Sequence, residues 1–463
     1  MTTSLIRRGI PHVPGRVPLL GDIRNIDRRR PLQNEMALAA SLGPIYERKV
    51  VGLHFIYAAG GRLAAQCSDE QHWERELYGP VTELRRFMPR SLFTAESSDP
   101  LWGQAHRIFT PAFTQTAMRR YHHAMQWMAD DLVAEWSGGC GVVDVHSAMT
   151  RATGEAIGRA GFGRNLGLFG ATADGAASRA FFDAMAAMLR MTADAGSQLP
   201  GIGILRRWQR EPTVRRHIKL LNGFADDIVA DRVQHPTDDE DLLNLMLTVR
   251  DPETGQRLPP ENLRAQLLTF LVAGAETTAA LLEVALHFIA ADRQLQDELR
   301  AGISARGGFD YQAVTGMRLV RHVLNECLRL WPPVPGYLRK ARSDQNLGGY
   351  RIPAGQTVFV LALAAQRDRE VWGPDAGAFD PYRFEPDRLR ANPERFFQPW
   401  GVGPRSCIGR QFAFQQATLL IARILSDFEL TTDGAPLVIN EHGTIRPAPY
   451  RLNIRRLHGS VEK

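Results

Sequence analysis

Cysteine is scarce in this 463-residue chain: Cys67, Cys140, Cys327 and Cys407 lie far apart, with no CxxC pair. That excludes a disulfide framework and a structural zinc site built on paired cysteines, and it suits a reducing compartment. Long apolar runs are missing as well. No uncharged apolar stretch reaches the roughly 18 residues of a membrane helix, and Met1-Thr2-Thr3-Ser4-Leu5-Ile6-Arg7-Arg8 lacks the apolar core of a signal peptide. The expectation is a soluble, cytoplasmic protein with no membrane span. Internal repeats, low-complexity tracts and long Gly/Ser linkers are absent, which disfavours solenoids and arrays. Residues 1–463 therefore read as a single domain. Charge of one sign is not concentrated either: 56 Lys and Arg stand against 50 Asp and Glu, for a net +6. Basic clusters such as Arg28-Arg29-Arg30 stand without a zinc-finger or RNP pattern, so no nucleic-acid partner is expected. Complementary charge suits an acidic protein partner instead.

Apolar residues make up 44% of the chain and aromatics 8%, enough for a large core. The first hundred residues mix Pro11, Pro14 and Pro18 with short β-branched and aromatic runs such as Phe55-Ile56-Tyr57, and read as strands and short helices. From Trp102 to about Leu295 the pattern is helical. Leu263, Leu267, Leu268, Leu271, Ala275, Thr278 and Leu282 recur at spacings of three and four behind Pro259 and Pro260, which mark a helix start. A further helix covers about Met317 to Trp331 and stops at Pro332-Pro333. Gly348 to Val360 reads as two strands joined by a Pro353-Ala354-Gly355 turn, and Thr444 to Arg456 looks extended. The fold class is mainly α with a small β-rich subdomain.

The most informative stretch is Pro399-Trp400-Gly401-Val402-Gly403-Pro404-Arg405-Ser406-Cys407-Ile408-Gly409-Arg410. It sets one cysteine on a glycine-rich loop that runs into Phe412, Leu419, Leu420 and Ile424 at helical spacing. Near a helix N-terminus the backbone N–H groups and dipole favour an anion, so a metal-binding thiolate is expected there. Gly401 and Gly403 allow tight turns, and Gly409 lets a flat partner approach the backbone. The pattern suits a haem. Cys67, Cys140 and Cys327 have no such setting and read as small core hydrophobes.

Two other constellations carry chemistry. Ala273-Gly274-Ala275-Glu276-Thr277-Thr278 interrupts the apolar face of the long helix with a glycine, an acid and two hydroxyls. Glycine and threonine together can loosen a helix ladder and admit water, and an acid beside a hydroxyl can relay protons. Glu326 and Arg329 stand three apart in an apolar setting, so they can pair, and a buried pair needs a further cation or several donors. Trp102 and His106 share a helix face one turn apart.

The segment Trp400-x-x-Gly403-x-Arg405-x-Cys407-x-Gly409 resembles the haem-binding loop of the cytochrome P450 family. The resemblance covers nearly the whole chain. It implies haem b between the long central helix and the cysteine loop, with Cys407 as axial ligand, and a monooxygenase that uses O2 on an apolar small molecule. The family motif usually begins with phenylalanine. Trp400 departs from it, and indole N–H donation to the sulfur would raise the iron potential. By the same likeness Glu276 and Thr277 match the oxygen-activating acid–threonine pair, with Ala273 and Gly274 beside the dioxygen site. Glu326, Arg329 and Arg383 match the structural Glu–Arg–Arg triad. Arg405, Trp102, His106 and Arg339 are candidate haem-propionate partners, although the family usually has arginine where His106 stands.

Ser91-Leu92-Phe93-Thr94-Ala95, Trp102 and Pro111-Ala112-Phe113 are similar to the haem domains of self-sufficient bacterial fatty-acid hydroxylases. That likeness puts Phe93, Ala273 and Val334 around an apolar pocket and Tyr57 near a substrate carboxylate. Leu53 replaces the arginine expected to anchor that carboxylate. The sequence ends at Lys463 with no flavin reductase, so electrons are expected from a separate ferredoxin or flavodoxin. Fatty-acid hydroxylation leads. Oxidative tailoring of a terpenoid, steroid or polyketide, a peroxide-driven haem enzyme and a non-catalytic haem-binding protein remain open.

Overall fold

The computed structural model describes residues 9–77, 79–139, 141–170, 173–196, 202–441 and 443–457. Cys140 and the segment Met1 to Arg8 lie outside the described residues. The expected architecture is present: helices dominate from Pro100 onward, and short strands cluster near the N-terminus and in the last third of the chain.

The central helix runs from Pro260 to Ala291. Pro260 sits in its first turn, where a missing N–H is harmless, and Asp292 ends it by capping the next helix through Leu295 N at 3.0 Å. This helix is long and apolar enough to cross a membrane, yet 83% of its most apolar window is buried inside the protein. It is a core helix. Its closest neighbour is the Val145–Phe162 helix, and glycine makes that approach possible. A Cβ on Gly274 would lie 3.3 Å from Ile157 Cγ1.

The cysteine helix, Arg410–Asp427, packs against the central helix, the Gln115–Ser137 helix and the Arg318–Leu330 helix. Leu267, Leu271, Val323, Leu324, Met125, Leu132, Leu420 and Ile424 meet there in one apolar cluster. A five-stranded sheet stands apart from it. Its order is Ile45–Val50, Leu53–Ala58, Thr357–Val360, Tyr337–Ala341 and Trp73–Glu76, with only the second and third strands parallel. The sheet has its own core of Ile45, Ile56, Trp73, Val358 and Phe396.

The expected strands are present, and their partners are distant. Tyr350–Ile352 and Thr357–Val360 do not pair across their turn: the first pairs with Gln345–Leu347, and the second enters the large sheet. Likewise Ile445–Pro447 and Arg451–Arg456 belong to different sheets. Alternation identifies a strand but not its partner, which burial on a distant surface decides.

Glu326, Arg329 and Arg383 come together. Arg329 Nε and Nη2 each donate to Glu326 at 2.7 Å, and both side chains have no exposed surface. Arg383 Nε lies 3.5 Å from the same carboxylate. Arg329 Nη1 also donates to the carbonyls of Gln366 and Ala376, at 3.1 and 2.6 Å. The Gln366 side chain then accepts from Gln398 N at 3.0 Å, two residues before Trp400. The pair thus fixes the chain that leads into the cysteine loop. Removing one partner of a buried pair strands the other charge and costs about 3–5 kcal/mol. Glu326→Gln is expected to lower the unfolding free energy by about that amount in denaturant titrations of the purified protein. A loss under about 1 kcal/mol would mean that the pair behaves like a solvated surface bridge.

Candidate functional site

The cysteine loop is closed by its own backbone. Cys407 N donates to Trp400 O at 2.8 Å, and Ser406 N to Gly403 O at 3.0 Å. Gly401 and Gly403 have φ of +70° and +64°, the left-handed region that side chains avoid. Gly403 is constrained twice, because a Cβ there would lie 2.6 Å from Glu70 Oε1. Glu70 in turn pairs with Arg339 at 2.9 Å.

Cys407 stands three residues before the cysteine helix and has exposed surface. Its other sides are densely packed. Burial pushes the thiol above its ordinary value, while the Gly409 amide and the Arg410 charge pull it back. In the metal-free protein, desolvation of the sulfur is the largest influence, opposed by the amide and the cation. A thiol that ligates a metal is deprotonated outright, so a bound metal would offset that desolvation. Cys67 and Cys327 are buried free thiols pushed up by burial, Cys67 to about 12. They are inert core residues, as expected.

Midway along the central helix, burial is interrupted. Ala273 is exposed, and Gly274 and Thr277 are half-buried, between turns whose neighbours are buried. Thr277 Oγ1 donates to Ala273 O at 2.8 Å, a local back-bond. The helix is otherwise continuous from Pro260 to Ala291. Gly274 serves close packing on Ile157, and the threonine hydroxyl stays within its own turn. Glu276 points the other way and is buried. Thr444 Oγ1 donates to its Oε1 at 3.1 Å, and Arg446 Nη1 to its Oε2 at 2.9 Å.

Phe113 joins the two walls. Its ring stacks on Phe270 of the central helix with centroids 5.7 Å apart. A Cβ on Gly409 would lie 4.0 Å from Phe113 Cε1 and 4.0 Å from Cys407 Sγ. The bare Gly409 backbone thus borders the sulfur.

A third wall is the segment Ser91 to Ala95. Leu92 N donates to Gln266 Oε1 on the central helix at 3.0 Å, and buried Ser91 and Thr94 fix its turn. Phe93 is left 39% exposed. Three arginines donate to consecutive carbonyls of this segment: Arg75 to Phe93, Arg85 to Thr94 and Arg405 to Ala95, each at 2.8 Å. Burial pulls Arg75 down to about 10, so it stays charged at neutral pH.

Trp102 and His106 stack at 5.1 Å, and the Arg405 guanidinium lies 4.6 Å over the Trp102 ring. These three expected residues converge. Burial, then the neighbouring Arg107 charge, holds the imidazole of His106 below its usual value, so it is a neutral donor at pH 7. Arg405 Nη1 and Trp400 Nε1 are buried without any hydrogen-bond partner among the described residues. Buried donors in a native site are normally satisfied. A sulfur, a bare glycine face, an exposed phenylalanine and an orphaned guanidinium N–H together fit a haem and its propionates.

Arg339 donates to Cys67 O, Trp73 O and Glu70, all at 2.9 Å. It braces the loop through Glu70. Val334 is 47% exposed, held between Pro333 O, which accepts from Ile445 N, and Pro335 O, which accepts from Leu363 N, both at 2.9 Å. Tyr57 stacks on Tyr46 with centroids 5.0 Å apart, on the large sheet. Two depressions of about 430 and 300 Å3, beside His72 and Pro44 respectively, contain none of these site residues.

Sequence reasoning missed Glu70, Arg75, Glu283 and Arg446. Arg446 sits in Thr444-Ile445-Arg446-Pro447, and a charge inside so short a strand was the one available signal. Its partners are more than 160 residues away.

The chain belongs to the cytochrome P450 family, whose profile matches residues 11–454, and members of that family carry haem b. It is similar to bifunctional cytochrome P450/NADPH–P450 reductase 2 of Bacillus subtilis, at 33% identity over 456 residues. A bifunctional cytochrome P450/NADPH–P450 reductase of Bacillus cereus is also 33% identical. A self-sufficient cytochrome P450 monooxygenase of Phanerodontia chrysosporium is 32% identical over 448 residues. Each match covers 94% of this chain but only 41–42% of the relative.

Proposed function

We propose that this chain is a haem-thiolate monooxygenase that inserts one oxygen atom of O2 into a C–H bond of an apolar substrate, with fatty acids as the leading class. The observation that carries this reading is the pairing of an accessible Cys407 with the Thr277 hydroxyl, on two walls joined by Phe113. Thiolate-ligated haem supplies the binding and splitting of dioxygen when it is present. The protein's part is to hold, orient and protonate.

Cys407, on a loop fixed by Gly401, Gly403 and Gly409, would hold the haem iron through its sulfur. The orphaned Arg405 Nη1, neutral His106 and the Trp102 indole receive the propionates. Phe93, Ala273 and Val334 are exposed apolar surfaces, and they line the substrate pocket. Thr277 presents its hydroxyl on the open face of the helix, and Glu276 beside it handles the proton. Oxygen cleavage consumes protons, and a positioned acid and hydroxyl deliver them faster than bulk water. A peroxide-driven enzyme would have no use for that pair.

Electrons come from a ferredoxin or flavodoxin in this account, since the net charge of +6 suits an acidic donor. One apolar cluster reaches from Leu84 to Ile454, which supports a single domain. Free buried cysteines and the burial of the one strongly apolar helix among the described residues support a soluble protein of the cytoplasm.

Two measurements test this reading. Thr277→Ala breaks only a back-bond within one helical turn, so haem and substrate binding are expected to persist while electron flow is diverted from product to hydrogen peroxide. Full coupling in that variant would reduce the hydroxyl to a structural role.

The second concerns the substrate. Leu53 is 45% exposed, and it shares a strand face with Tyr57, about 13 Å further along at the usual rise. Leu53→Arg adds a cation on that face. Charge-assisted bonds of about 1.5–3 kcal/mol predict fatty acids binding about ten- to a hundredfold tighter, with the methyl esters unchanged. Difference-absorption titration reads this. Equal effects on acid and ester would move the assignment to terpenoid, steroid or polyketide tailoring.

A further inference from the structure

The charged cluster behind Glu276 has an unequal make-up. Glu276 and Glu283 are seven residues apart on the central helix, so both face the same side two turns from one another. Arg446 lies between them. Its Nε donates to both oxygens of Glu283 at 3.0 Å, and its Nη2 donates to Glu283 Oε1 and Thr150 Oγ1 at 2.5 Å. Only Nη1 turns to Glu276, at 2.9 Å. Burial lowers the guanidinium's pKa, but the two carboxylates hold it above its usual value, so it stays charged.

Other groups close the cluster. Thr444 Oγ1 takes the second oxygen of Glu276 at 3.1 Å. His146 Nδ1 lies 3.3 Å from Glu283 Oε1, and its side chain is 36% exposed. Tyr450 Oη donates to the backbone carbonyl of Glu283 at 2.5 Å. The Val145–Phe162 helix therefore contributes His146 and Thr150, the central helix both acids, and the C-terminal hairpin Thr444 and Arg446.

We infer that Thr444, Arg446 and Glu283 are positioning residues for Glu276, with Glu283 holding Arg446 so that Glu276 receives only one guanidinium bond and one hydroxyl bond. This rests on the reading of Glu276 and Thr277 as the proton-delivering pair. A carboxylate gripped by both arms of an arginine is fixed in its charged form, because bidentate pairing is the strongest such arrangement. An acid that takes up and releases a proton in each turnover needs a fixed place with a weaker grip. Glu283 provides that by keeping two of Arg446's three nitrogens. Thr444 provides direction without charge. The Ile439–Glu441 and Ile445–Pro447 hairpin that carries this clamp also caps the Pro31–Leu42 helix, where Glu441 accepts from Leu32 N and Gln33 N at 2.7 and 2.9 Å. The clamp is thus anchored from outside the helix it serves.

The test uses the haem-loaded full chain, reduced by NADPH through a ferredoxin and its reductase, with a fatty acid that gives a spectral response. Thr444→Val keeps the shape and removes the hydroxyl. Product formed per electron pair is expected to fall about tenfold, the effect of one lost bond to a charged group. Peroxide rises to match, substrate binding is unchanged, and Thr444→Ser restores coupling. Glu283→Gln is expected to uncouple as well, by freeing Arg446 to grip Glu276. Should Glu283→Gln fail to fold, the threonine pair decides. Wild-type coupling in Thr444→Val, beside uncoupled Thr277→Ala, overturns the clamp alone. Wild-type coupling in both overturns the proton-delivery reading and the clamp with it.

Discussion

Arg329 has no exposed side-chain surface, and the rest of the structure is arranged around that fact. A guanidinium out of water must have every donor met. Glu326 takes two of them, and the carbonyls of Gln366, Ala376 and Ala378 take the others. Those carbonyls belong to the segment that leads toward the cysteine loop, so meeting one arginine's demand also sets the register of that segment. Gln366 passes the constraint on to Gln398, and Gln398 Oε1 accepts from Ser68 and Tyr337, at 2.7 and 3.1 Å. The helical core and the sheet are joined at this point.

The same physics governs the far side of the molecule. Arg446 is buried between two acids of the central helix, and its needs pull the C-terminal hairpin against that helix. Successive helix residues turn by about 100°, since 3.6 make a turn. Glu276 therefore faces the hairpin while Thr277 faces the opening. One helix thereby separates a charged, hydrogen-bonded back from an accessible front. Gly274 permits the close approach of the Val145–Phe162 helix that completes this back.

Much of the fold was legible because its signals are local. The leucine spacing of the central helix, the proline stops and the glycine loop before Cys407 each depend on a few neighbouring residues. Glu326 and Arg329 were readable as a pair because three residues separate them. Arg383 came only from family likeness. What stayed hidden was pairing at a distance. No pattern in Tyr350 to Val360 tells which strand each segment joins. Nothing near Arg446 points to Glu283, and nothing near Arg75 points to the carbonyl of Phe93. Arg339 shows the same thing: its cation is visible in sequence, but its Glu70 and carbonyl partners are not. The glycines and helix start around Cys407 are local signals, whereas the desolvation around its sulfur comes from the whole surrounding packing.

The central claim is that Cys407 ligates the haem iron. The most direct measurement is the absorption spectrum of the reduced holoprotein under carbon monoxide, for the natural chain and for Cys407→His at matched haem content. The account predicts the strongly red-shifted Soret band of thiolate ligation in the natural chain and its replacement by a histidine-type band in the variant. The same red-shifted band in both proteins would contradict it.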